Sequence, residues 1–151
     1  MRRATAQQGN QDMPTDDSCI FCKIVAGEIP CFKLHEDDQT IAFMDINPAA
    51  EGHALAAVKG HWPTLHEIPG EALAAAIQTA QKVAGAVQAA LAPDGINLVQ
   101  ANGPGAAQSV PHLHFHVLPR ADGDDLKINW GHEAGDMEAI KASHEKILAK
   151  M

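Results

Sequence analysis

Residues 108–120 read QSVPHLHFHVLPR, which sets His112, His114 and His116 at every second position with Leu113, Phe115 and Val117 between them. That alternation is the period of a β-strand, where successive side chains leave opposite faces and neighbours two apart stand about 6.5 to 7 Å from each other. The strand would carry a wall of imidazoles on an apolar backing. Protonated imidazoles side by side repel, so fold stability alone gives no reason for the row, and an anionic or metallic group is expected to face it. Imidazole can ligate zinc, and it can attack an electrophile through a lone pair that is free near neutral pH. One ring cannot do both at once, so the three histidines must divide the work.

Outward from this strand, INLVQ (96–100) reads as a second strand, joined to the first by the loop ANGPGAAQSVP (101–111). EALAAAIQTAQKVAGAVQAAL (71–91) follows Pro69-Gly70, is dense in Ala, Leu and Gln, and stops at Pro93-Asp94-Gly95, which predicts one long helix. Its Leu73, Ile77, Ala80 and Val87 recur near helical spacing and are expected to form the face that covers a sheet. HALAAVK (53–59) is a strand by its apolar run, although its alanines fit a helix equally well. CFKLHE (31–36) and TIAFMD (40–45) read as short strands around the acidic turn Glu36-Asp37-Asp38. CIFCKIVAGEIP (19–30) predicts a short helix closed by Gly27, with Pro30 stopping any continuation. Residues 1–17 are polar and aperiodic and read as a disordered extension to one domain spanning 18–151. Residues 136–151 predict a final amphipathic helix, and RADGDDLKINWGHEAG (120–135) reads as irregular. About five strands, one long covering helix, a short N-terminal helix and a C-terminal helix make an α+β fold with an antiparallel sheet.

The 151 residues, 46% of them hydrophobic, suffice for one buried core. A formal charge of −8 would repel a phosphate backbone, which argues against nucleic acid as a partner and leaves room only for a local anion pocket. No apolar run approaches the ~18 to 20 residues of a membrane span, and the N-terminus lacks the hydrophobic core of a signal peptide, so a cytoplasmic protein without membrane contact is expected. Cys19, Cys22 and Cys31 are odd in number and two of them form CIFC, which disfavours a disulfide framework and leaves metal binding, redox chemistry or burial.

HLHFHVL (112–118) resembles the signature of the histidine triad family of nucleotide hydrolases and transferases. CIFCKIVAGEIP (19–30), AFMDINPAAEGHALAAVKGH (42–61) and NGPGAAQSVPHLHFHVLPR (102–120) are similar to that family's blocks in the same order. The resemblance implies that His114 is a nucleophile toward the α-phosphorus of a purine nucleoside monophosphate conjugate, forming a nucleotidyl-histidine that water hydrolyses. It implies that the backbone carbonyl of His112 holds the other nitrogen of His114, that His116 donates to phosphate oxygens, and that His53 lines the phosphate site. Ser109 and Gln108 would contact phosphate and leaving group, Asn102 phosphate or ribose, and Asp45 the ribose hydroxyls. Ile20, Phe21, Ile24, Phe43 and Ile46 would form the slot for the base. Taken alone, Asp45 could simply cap its turn, and Phe21 and Phe43 could be ordinary core aromatics.

Some members of the family, bacterial ones especially, hold zinc, and the matching positions are Cys19, Cys22, His61 and His112. A closed set of two thiolates and two imidazoles suits a structural ion, with no cofactor required for the chemistry. The alternative is free thiols and a hydrogen-bonded His112. Cys31 reads as a small buried residue, His35, His66, His132 and His144 as surface or packing residues, and Trp130 as either a leaving-group contact or a packing residue. The chain departs from the family at Ala101, where an asparagine is common, and at Ala107, where glycine is common and a Cβ is expected to hold the backbone to ordinary dihedrals. The resemblance implies a homodimer that hydrolyses phosphoramidates or acyl-adenylates of purine nucleotides. Dinucleoside polyphosphate hydrolysis is the alternative within the same chemistry, and a nucleotide-binding or scaffold role with incidental turnover is the alternative outside it.

Overall fold

A computed structural model of the chain describes residues 13–128 and 133–151. Residues 1–12 of the N-terminal extension, Trp130 and His132 lie outside the described residues. The elements are α1 (Ile20–Val25), β1 (Lys33–Glu36), β2 (Thr40–Met44), β3 (Ala54–Val58), α2 (Gly70–Leu91), β4 (Gly95–Val99), a single 3-10 turn (Pro104–Ala106), β5 (His114–Arg120) and α3 (Met137–Leu148). The strands form one sheet in the order β1-β2-β3-β5-β4, with every neighbouring pair antiparallel.

The register explains how the two faces differ. Ile41 pairs with Ala57 and Phe43 with Leu55, while Ala57 pairs with His114 and Leu55 with His116, so these residues share one face. That face takes α1, whose Phe21 packs with Ile41, Phe43, Leu55 and Ala57. The opposite face presents Ala42, Ala54, Ala56 and Val117 to Ala80, Val83 and Val87 of α2. The central strand β3 is buried along its whole length. Alanines there resolve the ambiguity of HALAAVK: a strand covered on both sides needs small residues for helices to approach closely.

The covering face of α2 differs from the expected one. Its buried residues are Ala76, Thr79, Ala80, Val83 and Val87, whereas Ile77 is 38% exposed. At about 100° per residue, Ile77 points roughly 90° away from the centre of the Ala76–Ala80–Val83–Val87 stripe. Thr79 joins the buried face because its hydroxyl meets that of Thr40 at 2.7 Å. The helix ends at Ala92, which adopts a left-handed conformation (φ 46°) and donates its N–H to Gln88, and Pro93 cannot continue the ladder.

The histidine strand starts two residues later than its alternation suggests. His112 donates its N–H back to the Val110 carbonyl at 2.8 Å and Leu113 donates to Trp62 at 2.7 Å, so the ladder begins at His114. Three imidazoles on one strand face is therefore corrected to two, His114 and His116, with His112 on the preceding bend. Residues 13–17, grouped above with the extension, lie against the domain: His61 donates its N–H to the Pro14 carbonyl at 2.6 Å, and the Asp16 carboxylate accepts from the N–H and hydroxyl of Ser18 at 2.7 and 2.6 Å. Beyond β5, Arg120 pairs with Asp124 and donates to Asn97 Oδ1 and the Leu126 carbonyl, which ties down the irregular segment that follows. The exposed α3 is capped by Asp136, whose carboxylate accepts from the N–H groups of Glu138 and Ala139. Among the described residues, no helix is long and apolar enough to cross a membrane.

The α2 face carries a direct test. Truncating the buried Val83 to Ala should cost about 1.5 to 3 kcal/mol, and truncating Ile77 to Ala less than ~1 kcal/mol. Urea unfolding of the two variants checks this, and equal losses would contradict the assigned face.

Candidate functional site

The late start of β5 sends the histidines in two directions. His112, fully buried, turns its ring toward the start of α1, and its Nδ1 lies 3.4 Å from Cys19 Sγ and 3.6 Å from Cys22 Sγ. His61, on the linker after β3, places Nδ1 3.5 Å from Cys22 Sγ. One ligand atom from each of Cys19, Cys22, His61 and His112 lies within 4.8 Å of the others. A tetrahedral zinc with ordinary bond lengths separates its sulfur and nitrogen ligands by about 3.6 Å, so these residues fit that ion. The outer contacts fit as well. The Nε2–H of His112 donates to the Val58 carbonyl at 2.7 Å, which turns the Nδ1 lone pair to the cluster, and His61 Nε2 lies 3.7 Å from Asp16 Oδ2. Burial raises the Cys22 thiol pKa and lowers that of His112 to about 4. A divalent cation would favour thiolates and neutral imidazoles, the forms that ligate it.

His114 and His116 face a cleft of about 390 Å³. Ile20, Phe21, Ile24, Phe43, Asp45, Ile46, His53, Ser109, His114 and His116 all line it, so most of the predicted site residues converge. The tautomers of the histidines follow from what their neighbours can do. The His112 carbonyl can only accept, so His114 Nδ1, 2.6 Å away, carries the proton and its Nε2 keeps a lone pair. At the other end, the Ala49 N–H can only donate, so His53 Nδ1, 3.0 Å away, accepts and His53 Nε2 carries the proton. His53 Nε2 then donates to His116 Nδ1 at 2.9 Å, and His116 Nε2 donates to the lone pair of His114 Nε2 at 3.2 Å. Both ends impose the same direction on the chain. Burial is the largest cause of the lowered pKa of His53, His114 and His116, which keeps the three rings neutral near pH 7.

Asp45 closes its turn and also reaches the cleft. Its Oδ1 accepts from the Asn47 N–H at 2.8 Å, closing the turn, while its Oδ2 lies 3.5 Å from His53 Nε2 at the cleft. Asn102 and Gln108 do not line the cleft. Asn102 Oδ1 accepts from the Leu65 N–H at 2.8 Å, and the Gln108 amide accepts from the Gly103 N–H at 2.8 Å and donates to the Pro63 carbonyl at 2.6 Å. Ala107 overturns the expectation of ordinary dihedrals, since it is left-handed at φ 57° despite its Cβ. Cys31 is half-buried at the cleft, with Ile29, Pro30, Met44, Asn47, Leu55 and Val110, none of which the motifs single out. Apolar strand alternation could have indicated Leu55, whose register partner is His116.

The pattern that defines the HIT domain matches residues 26–123. The adenosine 5'-monophosphoramidase HNT1 of Saccharomyces cerevisiae is 42% identical over 137 residues, spanning 90% of this chain and 84% of that protein. The crystal structure of SMU.412c from Streptococcus mutans superposes with a TM-score of 0.85 at 34% identity, covering 97% of this chain and 94% of that one. A zinc-bound histidine triad family protein from Mycobacterium smegmatis superposes with a TM-score of 0.69 at 32% identity, covering 89% and 98% of the two chains.

The tautomer assignment can be read by imidazole ¹⁵N NMR. At pH 7 His114 should show a protonated Nδ1 and a bare Nε2, and His53 and His116 a protonated Nε2. A protonated Nε2 on His114 would contradict the assignment.

Proposed function

This chain belongs to the HIT domain family, and on that footing we propose that it hydrolyses purine nucleoside monophosphate conjugates, phosphoramidates and acyl-adenylates, through a nucleotidyl intermediate on His114. The observation that carries the proposal is the bond from His114 Nδ1–H to the His112 carbonyl, which leaves the Nε2 lone pair at the cleft.

The chemistry follows from that arrangement. His114 Nε2 forms a bond to the α-phosphorus as the bond to the leaving amine breaks. The amine leaves with a proton taken from solvent, while His116 Nε2–H, which in the free protein points at His114 Nε2, donates to a phosphate oxygen where charge develops. The phosphorylated ring is cationic, with its Nδ1 proton still held by the carbonyl. Water then attacks phosphorus, returns a proton to solvent and displaces His114, which leaves neutral with the nucleoside monophosphate released. His53 donates to His116 Nδ1 and keeps His116 Nε2 protonated in the resting state. The Ser109 hydroxyl would meet phosphate oxygens, Asp45 Oδ2 the ribose hydroxyls, and Ile20, Phe21, Ile24, Phe43 and Ile46 the base.

A small leaving group fits better than a polyphosphate. No Lys or Arg is among the described residues that line the cleft. The basic residues nearest the motifs are already paired, Arg120 with Asp124 and Lys59 with Glu36. Cys19, Cys22, His61 and His112 would hold a structural zinc, which on binding supplies a cross-link between the N-terminal segment, the linker after β3 and the bend before β5. Three free cysteines accord with a reducing, cytoplasmic setting. A homodimer accords with apolar surface left uncovered on the edge strand β4 and on α2, at Leu98 and Ile77.

Turnover of adenosine phosphoramidate tests the activity, and His114→Ala should lower kcat by about a thousand-fold. Undiminished hydrolysis in that variant would refute the nucleophile. Because the folded pKa of His114 lies below its ordinary 6.5, its lone pair stays available as pH falls to that value. Turnover should therefore hold from pH 8 to about 6.5 and be lost at lower pH; a rate that rises on acidification would oppose the neutral-nucleophile account. Metal analysis of protein purified without chelator should find about one zinc per chain, lost in Cys22→Ser, and metal-free wild type would refute the zinc reading.

A further inference from the structure

Gln108 and Asn102 are the two predicted ligand contacts that the fold keeps out of the cleft, and both reach the same place. The linker 61–65 after β3 receives four hydrogen bonds or donates them: His61 N–H to Pro14, Leu113 N–H to the Trp62 carbonyl, Gln108 Nε2 to the Pro63 carbonyl, and Leu65 N–H to Asn102 Oδ1. Three of those four come from the loop and bend between β4 and β5 that carry Ser109. The Gln108 amide cannot be flipped, because its oxygen meets the Gly103 N–H, which only donates, and its nitrogen meets the Pro63 carbonyl, which only accepts. Position 108 thus calls for one donor and one acceptor on a side chain of this length.

The residue before it needs such a restraint. A non-glycine residue in the left-handed region costs roughly 1 to 2 kcal/mol, and Ala107 sits there at φ 57°. Ala107 donates its N–H to Pro104 and Gln108 donates its N–H to Gly103, so the 3-10 turn runs straight into the Gln108 clamp. Ser109 is the next residue, and Val110 beyond it is packed against the core under α1. A serine between a clamped residue and a packed one has little freedom, which is what an atom that must meet a developing charge requires.

We propose that Gln108 is a positioning residue: its amide bridges Gly103 and Pro63 to hold Ala107 left-handed and fix Ser109 at the cleft, and it does not touch the nucleotide. Asn102 supports the same loop from the Leu65 side. The proposal rests on the hydrolase reading of the cleft, and it assigns Gln108 an effect that passes entirely through Ser109.

A double-mutant cycle tests it. Gln108→Ala and the more nearly isosteric Gln108→Met should each lower kcat for adenosine phosphoramidate by about ten-fold, while the KM and the Kd of adenosine monophosphate stay within about two-fold. In a Ser109→Ala background the same substitutions should change kcat by less than about two-fold. Amide exchange at Gly103 should quicken in both Gln108 variants, and this reads the clamp whether or not the phosphoramidate is turned over, so failure of the clamp and failure of the activity separate. A ten-fold weaker Kd for adenosine monophosphate with kcat unchanged would make Gln108 a ligand contact and overturn the proposal. Losses that multiply with those of Ser109→Ala, or unchanged Gly103 exchange, would overturn it as well.

Discussion

The site depends on one hydrogen bond, from His114 Nδ1–H to the backbone carbonyl of His112 at 2.6 Å. It decides which nitrogen of His114 carries the lone pair, and through the chain His114–His116–His53 it sets the protonation of the two other rings at the cleft. The bond exists because the β5 ladder starts at His114. Were His112 within the strand, its carbonyl would point along the sheet toward a neighbouring strand, and its ring would share the face of His114. By joining the ladder two residues late, the chain frees that carbonyl and sends the His112 ring to Cys19 and Cys22.

His112 is consequently shared by two centres. Its ring is fixed by Val58 on one nitrogen and by the thiol cluster on the other, and its carbonyl is fixed by the same placement. Burying so many imidazoles is costly unless each nitrogen finds a partner. Among the described residues no buried side-chain nitrogen or oxygen lacks one. The result is a row of neutral rings with predetermined tautomers, ready before substrate arrives, which is the kind of preorganisation that lowers a barrier without reorganisation at the moment of reaction.

Much of this is legible in the sequence because it is written in short periods. The HLHFHVL alternation, the Ala-rich run of α2 and the CIFC pair each reflect local geometry, and they place the sheet, its cover and the thiols. What is not legible arises from contacts across the chain. Nothing local says that HALAAVK must be a strand until both of its faces are seen to be covered. The exposure of Ile77 depends on how α2 is rotated against the sheet, which a stripe of four apolar positions does not define. Gln108 and Asn102 look like ligand contacts from their place beside Ser109, yet their partners Pro63 and Leu65 are some forty residues away. Ala107 keeps the conformation suited to glycine because those distant partners hold it.

The central claim is that the carbonyl of His112 leaves Nε2 of His114 as the attacking atom. Reaction with adenosine phosphoramidate, quenched in alkali to preserve a phosphorus–nitrogen bond and analysed by mass spectrometry and ³¹P NMR, tests this most directly. The account predicts an adenylyl group on Nε2 of His114 and on no other residue. An adduct on Nδ1, or on His53 or His116, would contradict it.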